Sequence, residues 1–204
     1  MSSITQHQNV IVHLFYCFIF TSLSGIHMHI NFEFKAKCED LQYLENLLIQ
    51  ESPLFIGQDH QIDTYFNVTT GRMKLREGNI ENALIHYERI NTADAKQSDV
   101  LLYQHQPDIQ LKQILTKALG IKVVVDKTRR IYFIDNVKFH FDKVKDLGTF
   151  VEVEAIDKDG RIGVEHLKAQ CYQYAKLFNI QQDHYLAESY SDLLLAKKSS
   201  TAIN

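Results

Sequence analysis

The chain has 204 residues, of which 45% are hydrophobic and 23% are charged, and its formal net charge is -3. These values are ordinary for a soluble globular protein with one core. The small negative charge excludes a general attraction to nucleic acid or to an anionic membrane, so any anion site must come from local charge. The three cysteines, Cys17, Cys38 and Cys171, lack metal-ligand spacing and are odd in number, which predicts reduced thiols in a cytoplasmic protein.

Residues 1–27 differ from the rest of the chain. Asn9 to Leu23 reads NVIVHLFYCFIFTSL, an apolar run too short to indicate a membrane span. It is similar to the core of a signal peptide, but no Lys or Arg precedes it and the cleavage-site pattern is poor. We expect translation to start at Met28 and residues 1–27 to be an extension from a misplaced start, with a signal peptide as the alternative. No stable membrane association is expected.

From residue 28 to residue 195 the pattern predicts one domain made mostly of strands. His29 to Lys37 alternates polar and apolar side chains, as a strand with one covered face does. Asp40 is the predicted N-cap of a helix that Ser52-Pro53 ends. Short turns at 69–71 and 78–79 separate later segments, and strands are predicted over 61–68, 72–77, 82–91 and 98–105.

The second half of this domain predicts two more helices and three more strands. A helix over 107–119 ends at Gly120, and a long strand over 121–134 turns at Asp135-Asn136 into a strand over 137–144. The last strand covers 149–156, and an amphipathic helix covers 164–178. Residues 189–195 are expected to pack back on the body, and residues 196–204 to form a polar tail.

Most of the predicted strands carry charged side chains on one face, because residues two apart share a face. Arg72, Lys74 and Arg76 alternate with apolar residues, and so do Glu152 and Glu154. Taken singly, each strand is also explained by a sheet with one solvated face. The charges are sorted by sign, however: bases dominate the middle strands, and the acids lie on the first and last two strands, at Glu33, Asp142, Glu152 and Glu154.

Closing this sheet would place the first and last strands side by side and gather the acids opposite the bases. A barrel of about eight strands holds side chains or one small ligand inside, and unpaired buried charge is too costly to leave without a ligand. The predicted fold class is therefore α+β: an eight-stranded antiparallel β-barrel whose charged interior forms a tunnel, flanked by amphipathic helices.

The charges also predict the kind of ligand. Clustered carboxylates suit a hard cation such as Mg²⁺ or Mn²⁺, and Arg binds phosphate oxygens bidentately. A triphosphate with its metal ion satisfies both halves of the interior, whereas a nucleic-acid backbone would leave the acids without a role. The candidate phosphate-binding bases are Lys35, Lys37, Arg72, Lys74, Arg76, Arg89, Lys127 and Arg129.

Several segments in order resemble the CYTH superfamily, the triphosphate tunnel metalloenzymes, and most closely its class IV adenylyl cyclase-like branch. The opening motif of that family is Glu-x-Glu-x-Lys, and here it reads Asn31-Phe-Glu33-Phe-Lys35, with Asn in place of the first Glu. The resemblance covers nearly all of the chain from Met28 to residue 195. The other matching segments are residues 63–66, 71–77, 87–89, 127–129, 140–142, 147–148 and 152–154.

The resemblance implies roles for individual residues. Glu33, Glu152 and Glu154 would be metal ligands, with Asp142 as a further ligand or an orienting base. The bases named above would hold the phosphates, with Lys37 at the tunnel mouth. Residues that would take part in catalysis are Glu33, Lys35 and Asp142. Members of this branch can dimerise, so a homodimer is a further expectation.

Three functions remain open at this point. A ribose 3′-hydroxyl as nucleophile would convert ATP into cyclic AMP and pyrophosphate, whereas water would make the protein a triphosphatase for inorganic, thiamine or nucleoside triphosphate. The third function is a non-catalytic binder of polyphosphate or nucleotide. His60 and His140 are candidates for a general base, with structural hydrogen bonding as the alternative for both.

Overall fold

The computed structural model describes residues 29–89 and 96–201, so the extension 1–27 and Cys17 lie outside the described residues. Over these described residues the chain forms eight strands, four α-helices and one short 3-10 helix. The helices are α1 (Leu41–Ile49), α2 (Ile109–Leu119), α3 (Val164–Leu177) and α4 (Tyr190–Thr201), and Gln182–His184 is the 3-10 turn. The strands are β1 (His29–Lys37), β2 (Leu54–Phe66), β3 (Arg72–Glu77), β4 (Ala83–Arg89), β5 (Lys96–Gln104), β6 (Ile121–Ile134), β7 (Val137–Val144) and β8 (Gly148–Asp157).

The strands form a closed antiparallel barrel in the order β1-β5-β4-β3-β2-β6-β7-β8. The first and last strands are neighbours, as the sequence predicts, and their register places Glu33 opposite Glu154 and Lys35 opposite Glu152. β1 also pairs with β5, which completes the closure. The predicted fold class, an α+β protein with an eight-stranded antiparallel barrel, is confirmed.

β2 is longer than the sequence predicts. It begins at Leu54 instead of residue 61, because residues 54–60 pair with the long β6. The register shifts between Phe55 and Gly57, and Gly57 has a φ of 146°. A bulge of this kind breaks the strict alternation that identifies a strand in a sequence. The extra length matters for the site because it brings Asp59 to the barrel wall.

The helices α1 and α3 cover the outer face of the barrel, and both contribute residues to its main hydrophobic core. Leu167 and Cys171 of α3 are fully buried against the apolar faces of β1 and β8, where Phe32 and Val153 lie. The Cys171 thiol donates to the Phe32 carbonyl oxygen at 3.1 Å. Cys38 and Cys171 are both free thiols. The apolar residues that alternate with charges on these strands therefore face the helices, and the charges face inward.

α2 does not cover the barrel in the way that its amphipathic pattern predicts. None of its residues is buried, and Ile114 is 63% exposed. The helix is instead held at its ends and by one ion pair: Asp108 caps its first turn, and Lys112 binds Glu77 at 2.6 Å. The spacing of apolar residues predicted the helix correctly but not what it contacts.

α4 packs across one end of the barrel. It contains the segment expected to pack back on the body, and it continues through residues predicted to be a polar tail. Tyr190 and Leu194 are buried against a cluster that includes Val123, Val144 and Phe150. Within residues 29–89 and 96–201, none of the helices combines the length and the apolar character that crossing a membrane requires.

Candidate functional site

The charged faces of the strands meet inside the barrel, where acids and bases form ion pairs. Within the described interior the charges are mixed, which corrects the expectation that a cluster of acids faces a wall of bases. The reason is that β2 and the β3–β4 turn carry acids which the sequence pattern did not place inside. The paired interior residues are Lys35, Asp63, Lys74, Arg76, Glu81, Lys127, Arg129, Lys138, Asp142 and Glu152.

Asp63 is the centre of the first ion-pair cluster. Its oxygens accept hydrogen bonds from Arg76 Nε at 2.8 Å and Nη2 at 2.9 Å, and from Lys127 Nζ at 2.7 Å. Lys74 Nζ lies 3.3 Å away. Burial acts to raise the pKa of Asp63, but these three cations hold it well below its ordinary range. Asp63 thus neutralises only part of the positive charge around it, and the second carboxylate that Arg76 contacts, Glu81, is shared with Lys138.

The cations around Asp63 also change the pKa of one another, as Lys127 shows. It is 2% exposed, and burial lowers its pKa to about 7, helped by the nearby Arg76, Arg129 and Lys74 and opposed by Asp63. A polyanion that entered the barrel would favour the charged ammonium, since an opposite charge stabilises it. The arrangement is therefore one in which an anionic ligand relieves repulsion among bases.

Arg129 is the centre of the second cluster. It binds Asp142 through two parallel hydrogen bonds of 2.7 Å and 2.6 Å, and its Nη2 atom also donates to Glu152 at 2.8 Å. Lys35 lies 3.2 Å from the other oxygen of Glu152. Burial opposes ionisation of both acids, yet Arg129 keeps the pKa of Asp142 low, and Lys35 and Arg129 keep that of Glu152 low.

Glu81, on the turn between β3 and β4, is an interior acid that the sequence did not reveal. Its carboxylate binds Arg76 at 2.9 Å and also Lys138. The buried Asp59 holds this turn by accepting hydrogen bonds from the backbone N–H groups of residues 79, 80 and 81. Gly78 is needed here, because a Cβ at that position would come within 2.7 Å of the Asp59 carboxylate. Only these long-range contacts turn Glu81 inward.

Glu33 and Glu154, two of the acids that the family resemblance names as metal ligands, lie close together inside the barrel. Asn31 donates its amide hydrogen to Glu154 at 2.5 Å, and Glu33 is paired with Glu154 in register. A glutamate at position 31 would repel Glu154, whereas the amide stabilises it. Even so, burial raises the pKa of Glu154 to about 7, and the nearby Glu33 and Glu152 add to the effect.

Replacing Glu154 with Gln is expected to stabilise the ligand-free protein at pH 8 by about 1–3 kcal/mol. The folded-state pKa of Glu154 is raised to about 7, so its ionisation costs stability. That cost is absent below about pH 4, where the carboxyl is protonated in both states, grows as the pH rises to 7 and is complete above it. Urea unfolding at pH 4 and pH 8 measures the difference. Glu165→Gln, on the exposed surface of α3, is the matched control, and an equal effect of both variants would contradict the prediction.

α4 contacts the charged interior directly. The Tyr190 hydroxyl donates to Asp142 Oδ2 at 2.7 Å, and Lys35 Nζ lies 4.4 Å from the centre of the Tyr190 ring. Arg72 Nη1 donates to Ser189 at 2.7 Å and to Asp192 at 2.8 Å. Arg72 therefore fastens α4 to the barrel in this structure, and both oxygens of Asp142 have protein partners.

Three other candidate site residues lie in different parts of the structure. Lys37 is exposed at the end of β1. Arg89 ends β4, where its backbone pairs with Ser98, and its side chain lies outside the described part of the chain. His60 is on the outer surface, where it contacts Asp126 at 2.7 Å, so it is not positioned to act on a ligand inside the barrel.

The interior has donors that fit a divalent cation, although the described residues contain no group of three or more Asp, Glu, His or Cys arranged to hold one. Mg²⁺ in phosphate-handling sites is usually bound by one or two carboxylates together with phosphate oxygens and water, so a complete protein cage is not required. Asn31 Oδ1 and His140 Nε2 are buried and have no hydrogen-bond partner. Both atoms are electron-pair donors, as a cation requires.

The comparison with known families decides the identity of the fold. The sequence profile of the CYTH domain matches residues 29–195, which is most of the chain. The chain belongs to the CYTH domain family. The match covers the whole barrel and the first turns of α4, so the resemblance drawn from the motifs is confirmed. No curated protein sequence matches this CYTH chain significantly.

Solved structures share the fold of this CYTH domain. A protein of Pyrococcus horikoshii OT3 has a TM-score of 0.70 at 19% identity, with 80% of this chain and 98% of that chain covered. A candidate adenylate cyclase from Vibrio parahaemolyticus has a TM-score of 0.67 at 16% identity, covering 81% and 97%. A candidate adenylyl cyclase from Hippeastrum, whose dominant activity is that of a triphosphatase, has a TM-score of 0.55 at 14% identity, covering 84% and 96%.

Proposed function

We propose that this CYTH protein is a divalent-metal-dependent enzyme that acts on the triphosphate group of a small molecule, as a class IV cyclase that converts ATP into cyclic AMP and pyrophosphate. The observation that carries the proposal is the set of bases inside the barrel. Lys35, Arg76, Lys127 and Arg129 are all buried, and the four cations Lys74, Arg76, Lys127 and Lys138 share two carboxylates, those of Asp63 and Glu81. Such an excess of buried positive charge is costly unless an anion binds to it.

A triphosphatase is the second candidate function. The Hippeastrum protein, which shares the fold, is a candidate adenylyl cyclase with dominant triphosphatase activity. The two reactions need the same phosphate site and differ only in whether a ribose hydroxyl or water attacks. Inorganic triphosphate and thiamine triphosphate are therefore candidate substrates alongside ATP.

The bases would carry most of the catalytic effect. Phosphoryl transfer depends on positioning and on stabilising the charge of the leaving polyphosphate, and fixed, buried cations do both. We assign phosphate binding to Lys35, Lys74, Arg76, Lys127 and Arg129. As the triphosphate enters, its oxygens would compete with Asp63 for Lys74, Arg76 and Lys127, and charge-assisted hydrogen bonds to the ligand would take the place of those to the acid.

The acids would divide into two roles. Glu33, Glu152 and Glu154 would hold Mg²⁺ or Mn²⁺, which when bound supplies charge neutralisation and orients phosphate oxygens. Asp142 is better suited to orienting Arg129, because it is fully buried and accepts two parallel hydrogen bonds from Arg129 and a third from Tyr190. Glu33 and Lys35 remain the proposed catalytic groups nearest the metal and the phosphates.

Product analysis tests the reaction directly. The full chain would be incubated with ATP, inorganic triphosphate and thiamine triphosphate, each with Mg²⁺ or Mn²⁺. Cyclic AMP with pyrophosphate would establish the cyclase, and orthophosphate release would establish the triphosphatase. Tight metal-dependent binding of these triphosphates without turnover would contradict both enzymatic functions and indicate a non-catalytic binding protein.

Lys74→Ala is expected to weaken triphosphate binding about 10- to 100-fold, because a charge-assisted hydrogen bond contributes about 1.5–3 kcal/mol. The fold should tolerate this change, since the ion pair of Lys74 with Asp63 is the longest of the cluster at 3.3 Å. Calorimetric titration with inorganic triphosphate measures the affinity. Lys112→Ala, which removes an outer ion pair with Glu77, is the control. If Lys74→Ala bound triphosphate with unchanged affinity, the charged faces of the strands would be solvated surfaces and not a phosphate site.

Glu152→Ala should instead make triphosphate binding less dependent on the divalent metal ion.

A further inference from the structure

His140 is a buried histidine with one unused nitrogen. It lies on the inner face of β7, alternates with Phe139 and Phe141, and is 2% exposed. Its Nδ1 atom lies 3.3 Å from Glu152 Oε2, while Nε2 is buried without a hydrogen-bond partner. The metal-binding motif of the sequence does not include this residue, so its ring has no role in the function as proposed so far.

The contacts decide which nitrogen carries the hydrogen. Glu152 accepts a hydrogen bond from Arg129 and forms an ion pair with Lys35, so it is an acceptor toward the ring as well, and Nδ1 is the nitrogen that donates to it. A second hydrogen on Nε2 would be a buried donor without an acceptor, on a ring that shares Glu152 with the cation Arg129. Nε2 therefore presents a lone pair to the barrel interior.

The lone pair restricts what can bind there. A phosphate oxygen is itself an acceptor and would be repelled, so the partner must be a hydrogen-bond donor or a Lewis acid. A carboxylate that receives the N–H of one ring nitrogen while the other nitrogen faces a cation is the usual arrangement of a metal-bound histidine. The carboxylate–imidazole pair of Glu152 and His140 already has this form.

We propose that His140 Nε2 is a ligand of the divalent cation that accompanies the triphosphate, and that it makes this site favour Mn²⁺ over Mg²⁺. Imidazole nitrogen suits transition metals, whereas Mg²⁺ takes oxygen ligands. The positive neighbours do not prevent this, because Arg129 is paired with two acids and Lys138 with Glu81. The inference rests on the proposed function for the presence of the triphosphate.

The cation is expected to bind together with the phosphate. The described residues do not form a group of three or more acidic, histidine or cysteine ligands, so phosphate oxygens must complete the coordination. The probe is therefore Mn²⁺ added with a methylene-bridged inorganic triphosphate, which is not hydrolysed and contains no nitrogen. Any nitrogen coupled to the metal then comes from the protein.

Pulsed electron paramagnetic resonance of the full chain tests the proposal. Wild-type protein with bound Mn²⁺ should show a ¹⁴N coupling that becomes a ¹⁵N coupling when its histidines are labelled with ¹⁵N. The coupling should disappear in His140→Gln and persist in His86→Gln, whose ring contacts the Thr70 carbonyl oxygen at the surface. Because labelling uses the wild type, the test stands even if His140→Gln folds poorly.

Metal preference provides the second measurement. His140→Gln places an amide oxygen near the position of Nε2, so the ratio of Mn²⁺ to Mg²⁺ affinity should fall about tenfold. Bound Mn²⁺ without a nitrogen coupling in the wild type, or an unchanged affinity ratio in His140→Gln, would overturn the proposal. A protein that turns over triphosphate but gives either result keeps its proposed function and loses only the His140 ligand.

Discussion

Arg129→Ala is expected to lower the free energy of unfolding by about 3–5 kcal/mol, the usual effect of removing one partner of a buried ion pair. Arg129 donates two hydrogen bonds to Asp142 and one to Glu152, and all three side chains are buried. Without it, Asp142 keeps only the Tyr190 hydroxyl, and Glu152 keeps Lys35 and His140. The penalty comes from carboxylates left in a medium that solvates charge poorly.

The pH dependence separates this mechanism from a simple loss of packing. In the wild type the pKa values of Asp142 and Glu152 are held low, so their contribution to stability is present above about pH 4 and is lost as the pH falls further. In the variant, burial without the guanidinium raises both pKa values. The stability difference between wild type and variant should therefore be largest near pH 7 and narrow toward pH 4. Chemical denaturation at several pH values measures it.

Lys143→Ala is the matched control for Arg129→Ala, because Lys143 is exposed on the neighbouring strand next to Asp142. Its effect should stay within about 0.5 kcal/mol, as for most surface substitutions. A difference for Arg129→Ala that does not change with pH would mean that lost van der Waals contacts, and not unpaired acids, cause the destabilisation.

Asp63→Asn is expected to cause the second large loss of stability. Its pH dependence is opposite to that of Arg129→Ala, because the loss grows as the pH falls. The variant leaves Arg76, Lys127 and Lys74 around a neutral amide, at an expected cost of about 3–5 kcal/mol. The pKa of Lys127 is already lowered to about 7, and loss of the carboxylate lowers it further. A base with a depressed folded-state pKa destabilises the fold as the pH falls, because the unfolded chain binds the proton more readily. The stability deficit of the variant relative to the wild type should therefore be nearly constant above about pH 7 and grow as the pH falls below it.

Binding of a triphosphate should restore much of the stability that the Asp63→Asn substitution removes. The ligand supplies the negative charge that the variant lacks, so inorganic triphosphate should raise the melting temperature of the variant more than that of the wild type. Asp126→Asn is the control, since Asp126 forms only an outer ion pair with the exposed His60. If the triphosphate stabilised wild type and variant equally, Asp63 would not share its position with the phosphate.

Much of the barrel could be predicted because alternation along a strand is a local property. β1, β3, β6 and β7 have the predicted bounds, and the alternating bases Lys35, Arg76 and Arg129 form ion pairs inside the barrel. β2 was predicted too short, because its first half is defined by pairing with β6 across a bulge and not by its own pattern. The helix α2 was predicted in place but not in its contacts, since apolar spacing specifies a helical face and not what packs on it.

The sequence by itself determined that charged and apolar residues would occupy opposite faces of a closed sheet, because each strand encodes its two faces in a period of two. Only the tertiary structure decided which charges pair. Asp63 meets Lys127 through β2–β6 pairing, Glu81 turns inward through Asp59, and Tyr190 reaches Asp142 from α4. These contacts join residues far apart in the chain, and their distances follow from strand register and helix packing, which no local pattern specifies.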